Sequence, residues 1–223
     1  MTKARFPTIA NQRQLTAAAC ALGEQCQIMA AIFARTGTPP LRDFTADFAG
    51  LAQIVTGQQL SAASAAAIWA RVSAAVSPFD ASAIRAIAAS DLARLGLSPA
   101  KIRTLKAVAA AIEEDGFDFA ALSAAPDAEV ITRLTALHGI GPWTADIYLL
   151  FALRRADAFA AGDLALQIAA QRRFKLKDRP APAKLESLAE RWRPWRGAAA
   201  RLLWADYALD RSSALPAPSR RKR

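Results

Sequence analysis

Leu134-Thr135-Ala136-Leu137-His138-Gly139-Ile140-Gly141-Pro142-Trp143-Thr144-Ala145 sets two glycines around one aliphatic residue, with helical apolar spacing before and after. Pro142 suits the first position of a second helix, because its missing N–H would have no partner there. Glycine supplies the backbone angles of a tight interhelical turn and leaves no Cβ in the way of an approaching phosphate. Ile140 reads as tucked between the two helices. The N–H groups opening the second helix have no intrahelical acceptor, so with the helix dipole they suit a phosphate oxygen. A bare Gly-x-Gly reads first as an ordinary turn between helices. The longer string is more specific.

Outward from this hairpin, alanine is abundant, β-branched alternation is scarce, and apolar residues recur at helical spacing, so an all-α protein is expected. A first helical block covers residues 10–36 and stops at Thr36-Gly37-Thr38-Pro39-Pro40. Two helices follow from Phe48 to Val76. Ser98-Pro99 is a cap followed by a first-turn proline, opening a helix to Glu114. Pro126 opens a helix through Leu137, and the helix from Pro142 runs to Leu153. Gly162-Asp163 reads as a turn leading into another helix, and the last helix spans Gly197 to Leu209.

The chain has 223 residues and a formal net charge of +10. Such an excess of Lys and Arg on a compact protein fits a polyanionic partner, nucleic acid being the commonest, although a solvated basic surface has the same composition. Arg220, Arg221, Lys222 and Arg223 close a Pro/Ser/Ala-rich end, expected to be a disordered basic tail over residues 211–223. No stretch approaches the roughly 18 uncharged apolar residues of a membrane span. The first residues lack an apolar signal core, so a cytoplasmic, nucleoid-associated protein is expected. Cys20 and Cys26 match no metal-binding spacing and read as reduced packing residues.

Four further segments accompany the hairpin: Ile54-Val55-Thr56-Gly57-Gln58-Gln59-Leu60-Ser61, Gly96-Leu97-Ser98-Pro99-Ala100-Lys101, Phe159-Ala160-Ala161-Gly162-Asp163-Leu164, and Arg191-Trp192-Arg193-Pro194-Trp195-Arg196 with Trp204 beyond it. Together with the hairpin they resemble the 3-methyladenine glycosylase II branch of the helix-hairpin-helix (HhH-GPD) DNA glycosylase superfamily, in a compact form without an N-terminal β domain. The resemblance implies a monofunctional hydrolase that excises alkylated bases such as 3-methyladenine and 7-methylguanine from double-stranded DNA, acting as a monomer on a flipped-out nucleotide. It places the essential carboxylate at Asp163, twenty residues beyond Trp143, where it would stabilise oxocarbenium character on the sugar. A plain helix cap is the other reading of a Gly-Asp pair at a helix start. Asp157 and Asp146 are further carboxylates nearby in sequence.

Strand-cutting relatives carry a Schiff-base lysine where Trp143 stands, so the resemblance implies hydrolysis without lyase activity. Trp143 and Trp204 would wall the base pocket, an indole face attracting a cationic alkylpurine. Ile147 and Tyr148 stand where the branch often has a further aromatic. Gln59, or else Gln58, would fill the gap left by the everted base. Gly139, Gly141 and Thr144 would hold a phosphate. No cofactor is required, but the carbonyls of Thr135, Leu137 and Ile140 could ligate a monovalent cation (Na or K). His138, the single histidine, reads as structural or phosphate-facing. The missing four-cysteine loop excludes the iron–sulfur cluster of the endonuclease III branch.

The expected architecture is two helical lobes with the hairpin at a DNA-binding cleft. Residues 1–44 would pack with a C-terminal lobe of 141–210 bearing Asp163, while 45–140 form a central lobe and the hairpin spans 130–153. The alternative reading is a DNA-binding hairpin protein, such as a damage sensor, with no catalysis.

Overall fold

The computed structural model describes residues 6–42 and 44–214. They form an all-α protein, with no β-strand among them. No described helix is long and apolar enough to cross a membrane. The helices are, in chain order, α1 (Gln12–Gln25), α2 (Gln27–Thr36), α3 (Phe48–Gly57), α4 (Ala62–Ala75), α5 (Ala81–Ala86), α6 (Ala89–Arg94), α7 (Pro99–Glu114), α8 (Phe119–Ala124), α9 (Asp127–Thr135), α10 (Pro142–Ile147), α11 (Leu164–Arg173), α12 (Pro182–Ala189) and α13 (Arg196–Ala214). A π-helical turn, Tyr148–Ala152, continues directly from α10.

The chain divides into two compact units. One holds Phe6 and residues 42–158, the other residues 7–41 and 159–214. The boundary therefore falls after residue 158 and not after 140. The second hairpin helix stays with the first unit because α10 packs on α9 and α3, and the π turn packs on α3.

In the first unit, α3 (FAGLAQIVTG) is apolar nearly all round because it is enclosed nearly all round, by α4, α7, α10 and the π turn. Its Leu51, Ile54 and Val55 meet a core that includes Leu105 and Val108 of α7 and Leu134 of α9. The Ser98 hydroxyl caps α7 as expected, accepting from Lys101 N, and the helix ends at Glu114. Arg155 is buried at 3% exposure. Its Nη2 donates to the carbonyls of Ser123 and Ala125 at 3.1 and 2.9 Å, its Nε pairs with Asp127 at 3.2 Å, and its guanidinium lies 4.0 Å from the Phe6 ring centroid. These contacts pin the start of α9, the first helix of the hairpin. Burial pulls the Arg155 pKa below its ordinary value, against the opposing charge of Asp127.

In the second unit the expected 10–36 block is two helices, broken at Cys26 by an extended backbone (φ −150°). Leu15, Leu22, Met29 and Ile32 of this pair face α13, whose Ala198, Ala199, Leu202 and Leu203 are fully buried. Trp192, also fully buried, packs between Phe159 and Phe174. An ionic clasp joins three helices. Asp206 of α13, 1% exposed, pairs with Arg35 of α2 and Arg173 of α11, and Asp210 pairs with the same two arginines at 2.7 and 2.9 Å. Burial pushes the Asp210 pKa up, but the hydrogen bond from Arg35 and the charges of Arg173 and Arg35 outweigh it and hold the carboxyl below its ordinary value. Residues 211–214, expected to belong to the tail, are the last turn of α13; the rest of the expected tail, residues 215–223, lies outside the described residues.

Candidate active site

Asp163 sits at the N-cap of α11, with extended backbone angles, and its Oδ1 accepts from Leu166 N at 3.0 Å. The same oxygen accepts from the indole Nε1 of Trp204 at 2.9 Å. The cap reading of Gly162-Asp163 holds, and the capping carboxylate is half-buried. Its loop is tied down from within the second unit. Asp163 N donates to Ala160 O at 2.9 Å, and the buried amide of Gln167, one turn into α11, donates to Ala161 O at 3.0 Å. The clasp fastens the far end of α11 to α13 through Arg173 and Asp206, which keeps Trp204 in register with Asp163. Trp204 is therefore engaged through its N–H edge, a function that its placement as a pocket wall did not foresee. No sequence signal announces which edge of an indole is used.

The hairpin belongs to the first unit. Gly139 has φ +78°, and a Cβ there would lie 1.9 Å from Oγ1 of Thr104, a buried residue of α7. Its glycine is required by backbone conformation and by packing, not by an approaching phosphate. Gly141 differs, for its φ is −97° and a Cβ would meet nothing within 4 Å. It is the N-cap of α10 and carries the open approach expected of both glycines. Ile140 is buried as expected, and Ile140 N donates to Leu137 O at 3.1 Å to close the turn. His138 is exposed on that turn.

Trp143, in the first turn of α10, is half-buried, and Ile147, one turn later on the same face, is 7% exposed. Tyr148 is not a pocket residue. It is fully buried against Phe119, with ring centroids 6.0 Å apart, because one step beyond Ile147 the helix turns its side chain into the core. Burial pushes its phenol well above the ordinary tyrosine range. Asp146 and Asp157 are half-buried.

The loop between α3 and α4 is a tight turn. Leu60 N donates to Gly57 O at 3.2 Å, Gln58 has φ −53° and ψ 130°, and Gln59 has φ +56°. That is a type II β-turn with glutamine where glycine is preferred. Gln59 is exposed at its tip, next to Leu60, which is 41% exposed. Gln58 is half-buried, and its Nε2 donates to the Thr144 hydroxyl at 2.9 Å. Thr144 is 2% exposed, so the hydroxyl expected to face a phosphate is buried and bonded to Gln58 instead. Lys101, missed as a site residue, donates from Nζ to Thr56 O at 2.8 Å and caps the end of α3.

The described residues contain no cluster of three or more His, Cys, Asp or Glu fit to hold a metal ion. The expected cation ligands Thr135, Leu137 and Ile140 contribute neutral carbonyls alone. That of Leu137 already accepts from Ile140 N, leaving one lone pair for a cation.

Residues 52–194 match the HhH-GPD superfamily of base excision DNA repair proteins, and the chain belongs to that superfamily. A curated Schizosaccharomyces pombe relative, DNA-3-methyladenine glycosylase 1, is 37% identical over 84 residues, covering 35% of this chain and 37% of the relative. The matches span 23% to 39% of the lengths of the curated relatives. Among solved structures, the S. pombe 3-methyladenine DNA glycosylase Mag1 in complex with abasic DNA superposes with a TM-score of 0.74 at 27% identity, over 85% of this chain and 95% of that one. A DNA-3-methyladenine glycosidase from Bacillus halodurans gives 0.72 at 26% identity, over 93% and 94%.

Proposed function

We propose that this protein is a monofunctional DNA glycosylase that hydrolyses the N-glycosidic bond of alkylated purines in duplex DNA. The observation that carries the reading is the Asp163 carboxylate, fixed by Leu166 N–H and the Trp204 indole at the start of α11, in a chain of a base excision repair superfamily. As the C1′–N bond breaks, its electron pair leaves with the base and positive charge grows on the sugar. A carboxylate held beside C1′ stabilises that charge, and water adds at C1′ with loss of a proton to the carboxylate or to solvent. Purines alkylated at N3 or N7 are already cationic and leave as neutral bases, so no acid is needed at the leaving group. The half-buried face of Trp143 suits such a cation, and an indole, unlike a lysine, forms no Schiff base. The substrates in this reading are 3-methyladenine and 7-methylguanine, with Gly141 and the first N–H groups of α10 on the phosphate and Gln59 in the gap. A cation on the carbonyls of Thr135, Leu137 and Ile140 would help neutralise that phosphate; no step depends on it.

Incubation with methylated duplex DNA should release free methylated base, leave strands that break only after alkali, and give no covalent complex with borohydride. A protein that binds the DNA and releases nothing would be the damage sensor of the alternative reading. The two hairpin glycines should separate stability from binding. Gly139→Ala should lower stability by at least about 1 kcal/mol from its backbone angle alone, the Thr104 overlap adding to that. Gly141→Ala should melt like the parent while its DNA affinity falls roughly tenfold, as for one lost hydrogen bond to a charged acceptor. Thermal melting and fluorescence anisotropy on both variants check this.

A further inference from the structure

Gln58 occupies the first corner of the turn whose second corner, Gln59, is exposed and carries a left-handed backbone. A non-glycine residue held there is strained, and the strain persists only where the surroundings over-determine it. Two ties from outside the loop do so. Lys101 grips the carbonyl of Thr56 on one side, and Gln58 reaches across 86 residues of sequence to the Thr144 hydroxyl on the other. Thr144 belongs to α10, the helix whose N-cap is Gly141.

Resting on the glycosylase reading, we infer that Gln58 is a positioning residue that locks the Gly57–Leu60 turn to the hairpin's second helix, so that Gln59 is presented for insertion whenever the hairpin holds the backbone. The backbone grip and the inserting side chain then move as one piece, and the strain at Gln59 is supported by the tie rather than by the DNA. Without the bond the turn relaxes toward an unstrained backbone and the amide tip leaves its position. Hairpin contacts to phosphate are untouched, so DNA binds while insertion fails. The thioether-free, uncharged pair also makes the tie insensitive to pH and salt, unlike the phosphate contacts.

The test reads insertion without chemistry. A duplex carrying 2-aminopurine opposite a tetrahydrofuran abasic site reports insertion as a fluorescence change on binding, while anisotropy reports binding. Gln58→Ala is expected to bind within about twofold of the parent and to lose most of the fluorescence change. Thr144→Val, which keeps shape and loses the hydroxyl, should reproduce this loss, Thr144→Ser should restore the signal, and the double variant should be no worse than either single one. Base release should slow about fivefold on a paired lesion, as for one hydrogen bond worth about 1 kcal/mol. On a lesion opposite the abasic analogue, where eversion is cheap, it should slow less than about twofold. An unchanged fluorescence signal in Gln58→Ala, additive single effects, or no signal with the parent protein overturns the inference. A parent that gives the signal but releases no base overturns the glycosylase reading and leaves this one standing.

Discussion

Asp163→Asn is expected to slow base release by about 10³-fold while fold and affinity for lesion DNA stay close to the parent. A unit charge about 4 Å from a developing cation is worth about 4 kcal/mol at an effective dielectric of 20, which is about three powers of ten in rate. Asparagine is the informative replacement because Asp163 also caps α11. The two residues are equally good N-caps, and the asparagine carbonyl still accepts from Leu166 N and from the Trp204 indole. The charge is removed while the cap is kept, and the second oxygen becomes an NH2 donor. Alanine would also take about 1 kcal/mol of capping, mixing folding with chemistry. Single-turnover release from a methylated oligonucleotide, alongside melting and binding, measures the effect. Unchanged release by Asp163→Asn would remove the residue from the mechanism.

Trp204→Phe should cost roughly 10- to 100-fold in the single-turnover rate. A hydrogen bond to a charged group contributes about 1.5–3 kcal/mol, and phenylalanine keeps an aromatic ring while deleting the N–H that reaches Asp163. If the indole acts by orienting the carboxylate, the loss should vanish in an Asp163→Asn background, where no charge is left to orient. If it acts as a wall of the base pocket, the two losses multiply, and lesion affinity falls too. The double-mutant cycle decides between them.

Much of this was legible along the chain because its cues are local. Ser98-Pro99 opens α7, and the two hairpin glycines with Pro142 fixed the turn between α9 and α10. What escaped depends on partners distant in sequence. The bond from Gln58 to Thr144 and the one from Trp204 to Asp163 span 86 and 41 residues, and an amide or an indole in a string of letters gives no hint of where its N–H points. Gly139 was read as open for the same reason, since the Thr104 side chain that fills its space lies on another helix. Tyr148 was misplaced because adjacent positions on a helix differ by about 100° in direction, and the Phe119 ring that it meets lies on another helix.

The wide turn at Tyr148–Ala152, closed by Leu153 N donating to Tyr148 O at 3.0 Å, amounts to an α-helix carrying one surplus residue. Taking out one residue there returns an ordinary helical ladder without redirecting the chain on either side. In a stretch this deeply enclosed, a one-residue change in the count between Trp143 and Asp163 is expected to be absorbed at this turn without rebuilding the hairpin.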